Sequence, residues 1–252
     1  MIFNIKKICC FILYVFLFTH FAYGDDFKRS IYIKPEYGYA WGLNTIGKGA
    51  AQESTYRLTS QKADGAALYG LSLGYVLNPN ISGDIFVGYL GDFKLASKGA
   101  PTSFIIKRGG TLQVVQRDAN LDLKIKSSFL MLNTYYSFNL MQKLSPYVGV
   151  GLGVARNKTS DYIVAAAHRP DTFYSSKGFT SYNFAYSASI GLKYTLTQNW
   201  SADIQYKVMH LGAIKNKGYS YYLAGNKITD FGKNFKSNLN VQIASISVSY
   251  SL

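Results

Sequence analysis

From residue 30 onward the chain alternates apolar with small or polar side chains, in segments of roughly ten residues. Residues 147–154, Tyr-Val-Gly-Val-Gly-Leu-Gly-Val, are the purest stretch: Val148, Val150, Leu152 and Val154 fall on one face, and Gly149, Gly151 and Gly153 on the other. A period of two means a strand. A glycine face cannot fill a packed sandwich core. In a narrow closed barrel the apolar face meets lipid, and the small face leaves room for neighbours in the lumen.

The same rhythm predicts eight strands, at 30–41, 66–77, 81–90, 127–138, 146–155, 183–196, 200–210 and 241–252. The connections at 78–80, 139–145 and 197–199 are short. The others, roughly 42–65, 91–126, 156–182 and 211–240, are long, and the two kinds alternate. Outer-membrane barrels have short periplasmic turns and long external loops, and an even strand count leaves both termini periplasmic. The reading is an all-β chain: an eight-stranded antiparallel, up-and-down transmembrane β-barrel. A mean hydropathy of zero fits, because a barrel hides its apolarity in alternation. The 22 tyrosines suit membrane–water boundaries. Pro35 lacks a ladder donor, so a bulge or a later strand start is expected there. Residues 103–116 have a β-like pattern around Gly109-Gly110 and predict a hairpin above the membrane.

Residues 1–24 read as a cleaved secretory signal: Lys6 and Lys7 precede an apolar run from Ile8 to Phe21, and Ala22-Tyr23-Gly24 is a small-x-small site. Residues 25–252 are then one barrel domain. Cys9 and Cys10 leave with the signal, so no disulfide or thiolate site is expected. Net charge is +14. In an exported chain this argues against nucleic acid and points to lipopolysaccharide phosphates or to acidic or sulfated surfaces.

Two constellations can carry function. By phase, Lys34, Glu36, Asp84, Lys193, Asp203 and Lys207 point into the lumen, where unpaired charge is costly. They form either a gate for a narrow pore or a fixed neutral plug, and the small bore of eight strands favours the plug. The long connections hold 19 of the 27 basic residues, with Lys107, Arg108, Lys124 and Lys126 in the second and Lys215 and Lys217 in the fourth. They make either an adhesive electropositive surface or a solvated rim that meets outer-leaflet phosphates. Charge gives affinity and speed there rather than partner identity. Catalysis is weakly supported. The histidines beyond the signal are His168, in a loop, and His210, at a strand rim, with no metal-ligand cluster. No cofactor and no enzymatic activity are expected.

Residues 146–154, Pro-Tyr-Val-Gly-Val-Gly-Leu-Gly-Val, and the hairpin 189–206, with Gly191-Leu-Lys-Tyr194 before the turn and Asp203-Ile-Gln-Tyr206 after it, carry a family resemblance. They resemble the small outer-membrane barrels of the OmpA-like and opacity-protein type, and in particular the adhesin-like surface antigens of the rickettsial group. The resemblance implies an eight-stranded barrel, surface exposure and often host-cell adhesion. One departure is the last residue: such chains usually finish on an aromatic, whereas Leu252 stands here with Tyr250 two before it. The expected role is adhesion to an acidic or sulfated host-surface receptor together with a structural role in the membrane. The alternative is a narrow porin whose lumen charges set conductance.

Overall fold

The computed structural model describes residues 30–42, 58–63, 65–99, 102–108, 111–117, 120–138, 143–165, 172–223, 226–231 and 235–252. The expected signal segment lies outside them. The strands are β1 Ser30–Gly42, β2 Leu58–Ala63, β3 Ala66–Val76, β4 Ile81–Gly99, β5 Thr102–Arg108, β6 Thr111–Arg117 and β7 Asn120–Ser137. They continue as β8 Leu144–Thr159, β9 Tyr162–Ala165, β10 Thr172–Lys177, β11 Thr180–Thr195, β12 Trp200–Leu223, β13 Asn226–Phe231 and β14 Phe235–Ser251. Eight of them pair in a ring, β1–β3–β4–β7–β8–β11–β12–β14, and β14 returns to β1. Every pairing in the ring is antiparallel, so the sheet has no edge within the membrane.

The register fixes the geometry of the barrel. Following partners once around, Tyr32 leads through Gly74, Asp84, Asn133, Gly151, Ser187, Met209 and Val241 back to Gly42, ten residues along β1. Eight strands with that stagger tilt by about 40° and enclose a cylinder of about 8 Å radius at the backbone. Side chains fill so narrow a bore.

Alternation then sorts the residues. Ile33, Leu71, Leu73, Ile85, Val87, Val150, Leu152, Ile190, Ile204 and Ile246 face outward and are exposed, as a lipid-facing band requires. Aromatics collect at the short-turn end: Trp200 packs on Tyr250 at 4.8 Å and Tyr136 on Phe138 at 5.1 Å between centroids. A second group sits at the other boundary, where Tyr39 stacks on Trp41 at 6.4 Å and Trp41 meets Tyr206 at 6.3 Å. These are the two girdles of a membrane barrel. The glycine rows serve the inner face. A Cβ at Gly70 would overlap the Phe86 ring, one at Gly149 the Tyr135 ring, and one at Gly191 the Tyr147 ring. Each of these three rings lies in the gap left by a glycine on the next strand.

Three features differ from the sequence-based expectation. Pro35 causes no bulge: Ile33 pairs with Tyr250 and Glu36 with Ser247 in one continuous register, and Pro35 remains opposite Leu71 on β3. No bridge to β14 forms at Lys34 or Pro35, so the missing donor falls in that gap. Bulges occur instead between Leu90 and Phe93 and between His210 and Ala213, the second at Gly212 with φ of 77°. The long connections also contain strand. β4, β7, β12 and β14 run on past the apolar alternation, and β2, β9, β10 and β13 pair with the extensions or with each other. Backbone pairing needs no apolar face, so the ladder continues where the hydrophobic signal stops. The expected hairpin forms as β5 and β6, with Arg108 opposite Thr111, and stands as a separate two-stranded sheet.

Candidate functional site

The lumen has two unlike halves. Toward the short-turn end it is polar. Lys34 Nζ lies 3.3 Å from Asp84 Oδ2, and Asn133 Nδ2 donates to Asp84 Oδ1 at 2.7 Å. Lys207 Nζ donates to Glu36 Oε1 at 3.4 Å. Both ammoniums also cap rings, Lys34 over Tyr135 at 4.8 Å and Lys207 over Phe86 at 4.5 Å. All four ionic side chains are at most 7% exposed. Burial of this kind is tolerable only because each charge has an opposite partner.

Lys193 and Asp203, the third expected pair, are directly opposite in the β11–β12 register. Their charged ends do not close to ion-pair distance. Both line a recess at the short-turn end with Tyr32, Lys34, Tyr135 and Tyr147, where Lys193 keeps partial access to water. The six inward charges are thus brought to one end of the lumen as two closed pairs and one open one.

Toward the long-connection end the lumen is apolar. Leu68, Phe86, Leu90, Phe93, Ile125, Phe129, Met131, Met209, Leu211, Val241 and Ile243 form one buried cluster, each at most 2–3% exposed. The Phe86 and Phe129 rings meet at 5.8 Å. Polar side chains close the top of this plug: Ser127 donates to Asn157 Oδ1 at 2.7 Å, and Asn157 Nδ2 donates to the Leu211 carbonyl at 2.7 Å. Reading the sequence for charge missed this half. The signal was present, because Leu68, Phe129, Met131, Met209 and Ile243 share phase with inward glycines and serines on their own strands.

The basic candidates fall on separate elements. Lys107 and Arg108 end β5. Lys215 and Lys217 lie on the extended part of β12, with Lys217 opposite Lys177 of β10. Lys124 and Lys126 are on no loop. They belong to β7, point outward and are exposed, and Lys126 Nζ lies 3.3 Å from Asp92 Oδ1.

His210 is bound into the wall. Its Nδ1 lies 2.5 Å from Asn240 Oδ1, and its ring stacks on Tyr186 at 4.8 Å. That is the surrounding of an interface residue rather than of a catalytic base. His168 lies outside the described residues. Among the described residues no group of three or more His, Cys, Asp or Glu side chains is placed to hold a metal ion.

The chain is similar to several known proteins. Outer membrane protein PagN of Salmonella typhimurium is 30% identical over 122 residues, 48% of each chain. An uncharacterized protein of Brucella abortus (strain 2308) is 25% identical over 202 residues, covering 75% of this chain and 70% of its own. The crystal structure of OprG from Pseudomonas aeruginosa superposes with a TM-score of 0.48 at 12% identity, over 88% of this chain and 95% of that one. A family model described as the outer membrane protein beta-barrel domain matches residues 12–251. With a closed eight-stranded ring and a lipid-facing outer surface already in place, the chain belongs to the outer membrane protein beta-barrel family.

Proposed function

We propose that this outer-membrane barrel is an adhesin that presents a basic surface to acidic or sulfated ligands on a host. The observation that carries this reading is the continuation of strands beyond the membrane. β12 runs to Leu223 and gathers β10 and β13 beside it, and β4 and β7 pair as far as Lys98 and Asn120. Paired strands hold basic positions on a scaffold at lower entropic cost than free loops. Lys107, Arg108, Lys215 and Lys217 are the favoured contacts. The plugged lumen supports display over transport: the porin reading needs a polar path, and the apolar cluster interrupts one.

The test is binding of the refolded barrel to host cells and to immobilised heparin across a salt series. Saturable binding near ~150 mM salt is expected, where the screening length is about 8 Å. Replacing Lys107, Arg108, Lys215 and Lys217 with Gln should weaken it by roughly tenfold or more, about 1.4 kcal/mol. Binding that survives those changes, or none at that salt, overturns the reading.

A further inference from the structure

At the short-turn end of the lumen two buried polar groups stand without a partner among the described residues. Asp203 is 6% exposed, and its carboxylate accepts no hydrogen bond and closes no ion pair. Tyr147 is also 6% exposed, and its hydroxyl meets neither donor nor acceptor. Both line one recess with Tyr32, Lys34, Tyr135 and Lys193. Lys193 lies directly opposite Asp203 in the β11–β12 register. Directly opposed residues stand about 5 Å apart at Cβ, near enough for their side chains to touch. The ammonium and the carboxylate nonetheless stay beyond ion-pair distance, on either side of the recess. Buried polar groups left in this way are costly, and the cost is removed by a group that satisfies them.

The shape and the chemistry of the recess select that group. The recess is a dead end: deeper in the lumen Lys34 is closed on Asp84 at 3.3 Å and Lys207 on Glu36 at 3.4 Å, and the apolar plug lies beyond them. Its cavity is about 40 Å³. A single water needs about 10–15 Å³, so the space takes a group the size of roughly three waters. Its wall is held by packing: the Tyr135 and Tyr147 rings meet edge to face at 5.5 Å, and Lys34 caps Tyr135 at 4.8 Å. Lys193 offers donors, Tyr147 a hydroxyl, and ionised Asp203 only acceptors. A bare anion on Lys193 and Tyr147 would face the Asp203 carboxylate. A bare cation on Asp203 would face Lys193 and Lys34. A carboxylate and an ammonium joined through one carbon can lie between Lys193 and Asp203 with each charge on its opposite.

We propose that this recess is a binding site for a small zwitterion of the α-amino acid class, entered from the periplasmic side, with the ligand's carboxylate on Lys193 and Tyr147 and its ammonium on Asp203. Charge-assisted hydrogen bonds at both ends of the ligand supply the binding. Because the lumen is filled above the recess, the site holds such a ligand without passing it through the barrel.

The test titrates glycine into the refolded barrel in phosphocholine micelles and follows the NMR signals of isotope-labelled tyrosine rings together with the thermal midpoint. Glycine should shift the Tyr147 signals saturably and raise the midpoint. In the same parent protein, acetate alone and methylamine alone should each do markedly less at equal concentration, a comparison that needs no variant. D203N and K193Q should each weaken glycine by roughly tenfold or more, since each removes a charge-assisted hydrogen bond. K215Q, at the other end of the barrel, should bind as the parent does. Without glycine D203N should be at least as stable as the parent, because an unpaired buried charge has been removed. No saturable shift, an equal shift from acetate or methylamine alone, or undiminished binding by D203N would overturn the proposal.

Discussion

Gly153 shows how much a single position decides in this barrel. A Cβ there would overlap the Leu130 carbonyl, which is backbone and cannot swing away, and would press on Met131 Sδ. Gly153→Ala should therefore destabilise the barrel by about 1–3 kcal/mol. At Gly91 an added Cβ would meet its nearest neighbour, the Ala67 carbonyl, at 3.8 Å, an ordinary contact. Gly91→Ala should leave stability unchanged, and urea midpoints of the two refolded variants compare them directly. The charged pairs follow the same logic. Lys34→Ala strands Asp84, whose side chain is 0% exposed, and should cost about 3–5 kcal/mol. Lys34→Met with Asp84→Leu should cost much less, because no buried charge is left alone. A double variant no more stable than the single would refute that account.

Among the elements, the β5–β6 hairpin is the separable piece. Its seven pairs, from Thr102–Arg117 to Arg108–Thr111, join those two strands, which form a sheet apart from the ring. Replacing residues 101–118 with a short glycine-serine link should leave the barrel folded, with the same heat-dependent gel shift and urea midpoint. A loss of either would mean that the hairpin supports the ring. The β12 bulge is the opposite case. Gly212 has φ of 77°, and a Cβ there would also overlap Asn183. Gly212→Ala meets both strain and overlap, should cost more than about 1–2 kcal/mol, and should loosen β12 above the membrane. Sequence reading found all eight ring strands but ended several of them early, as with 81–90 against Ile81–Gly99 and 200–210 against Trp200–Leu223. Apolar alternation reports contact with lipid, and that contact ends before the hydrogen bonding does.

For the whole molecule, the plug sets the expectation for transport. Ions entering the polar half would have to cross the packed cluster around Phe86, Phe129 and Met131, and dehydrating an ion in such a medium is prohibitive. Planar bilayers containing the protein should show no steady conductance. Lys207→Gln or Asp203→Asn alone should not create one. Combined truncation of Leu68, Phe129 and Met131 to Ala should open a leak if the plug is the barrier. A steady current from the parent, altered by Lys207→Gln, would instead revive the narrow-porin reading.

Period-two alternation, glycine placement and the contrast of short with long connections determined the membrane-spanning barrel, its strand count and the facing of nearly every side chain. Those properties are local, because a strand's phase depends only on which of its two faces meets lipid. The partners across the lumen were decided by tertiary structure. Lys34 and Asp84 are 50 residues apart and meet only because a ten-residue stagger sets their height. The same stagger gathers inward leucine, phenylalanine and methionine into one plug, and brings Tyr32, Tyr147, Lys193 and Asp203 to one recess. Stagger belongs to the closed ring as a whole, and no single strand encodes it.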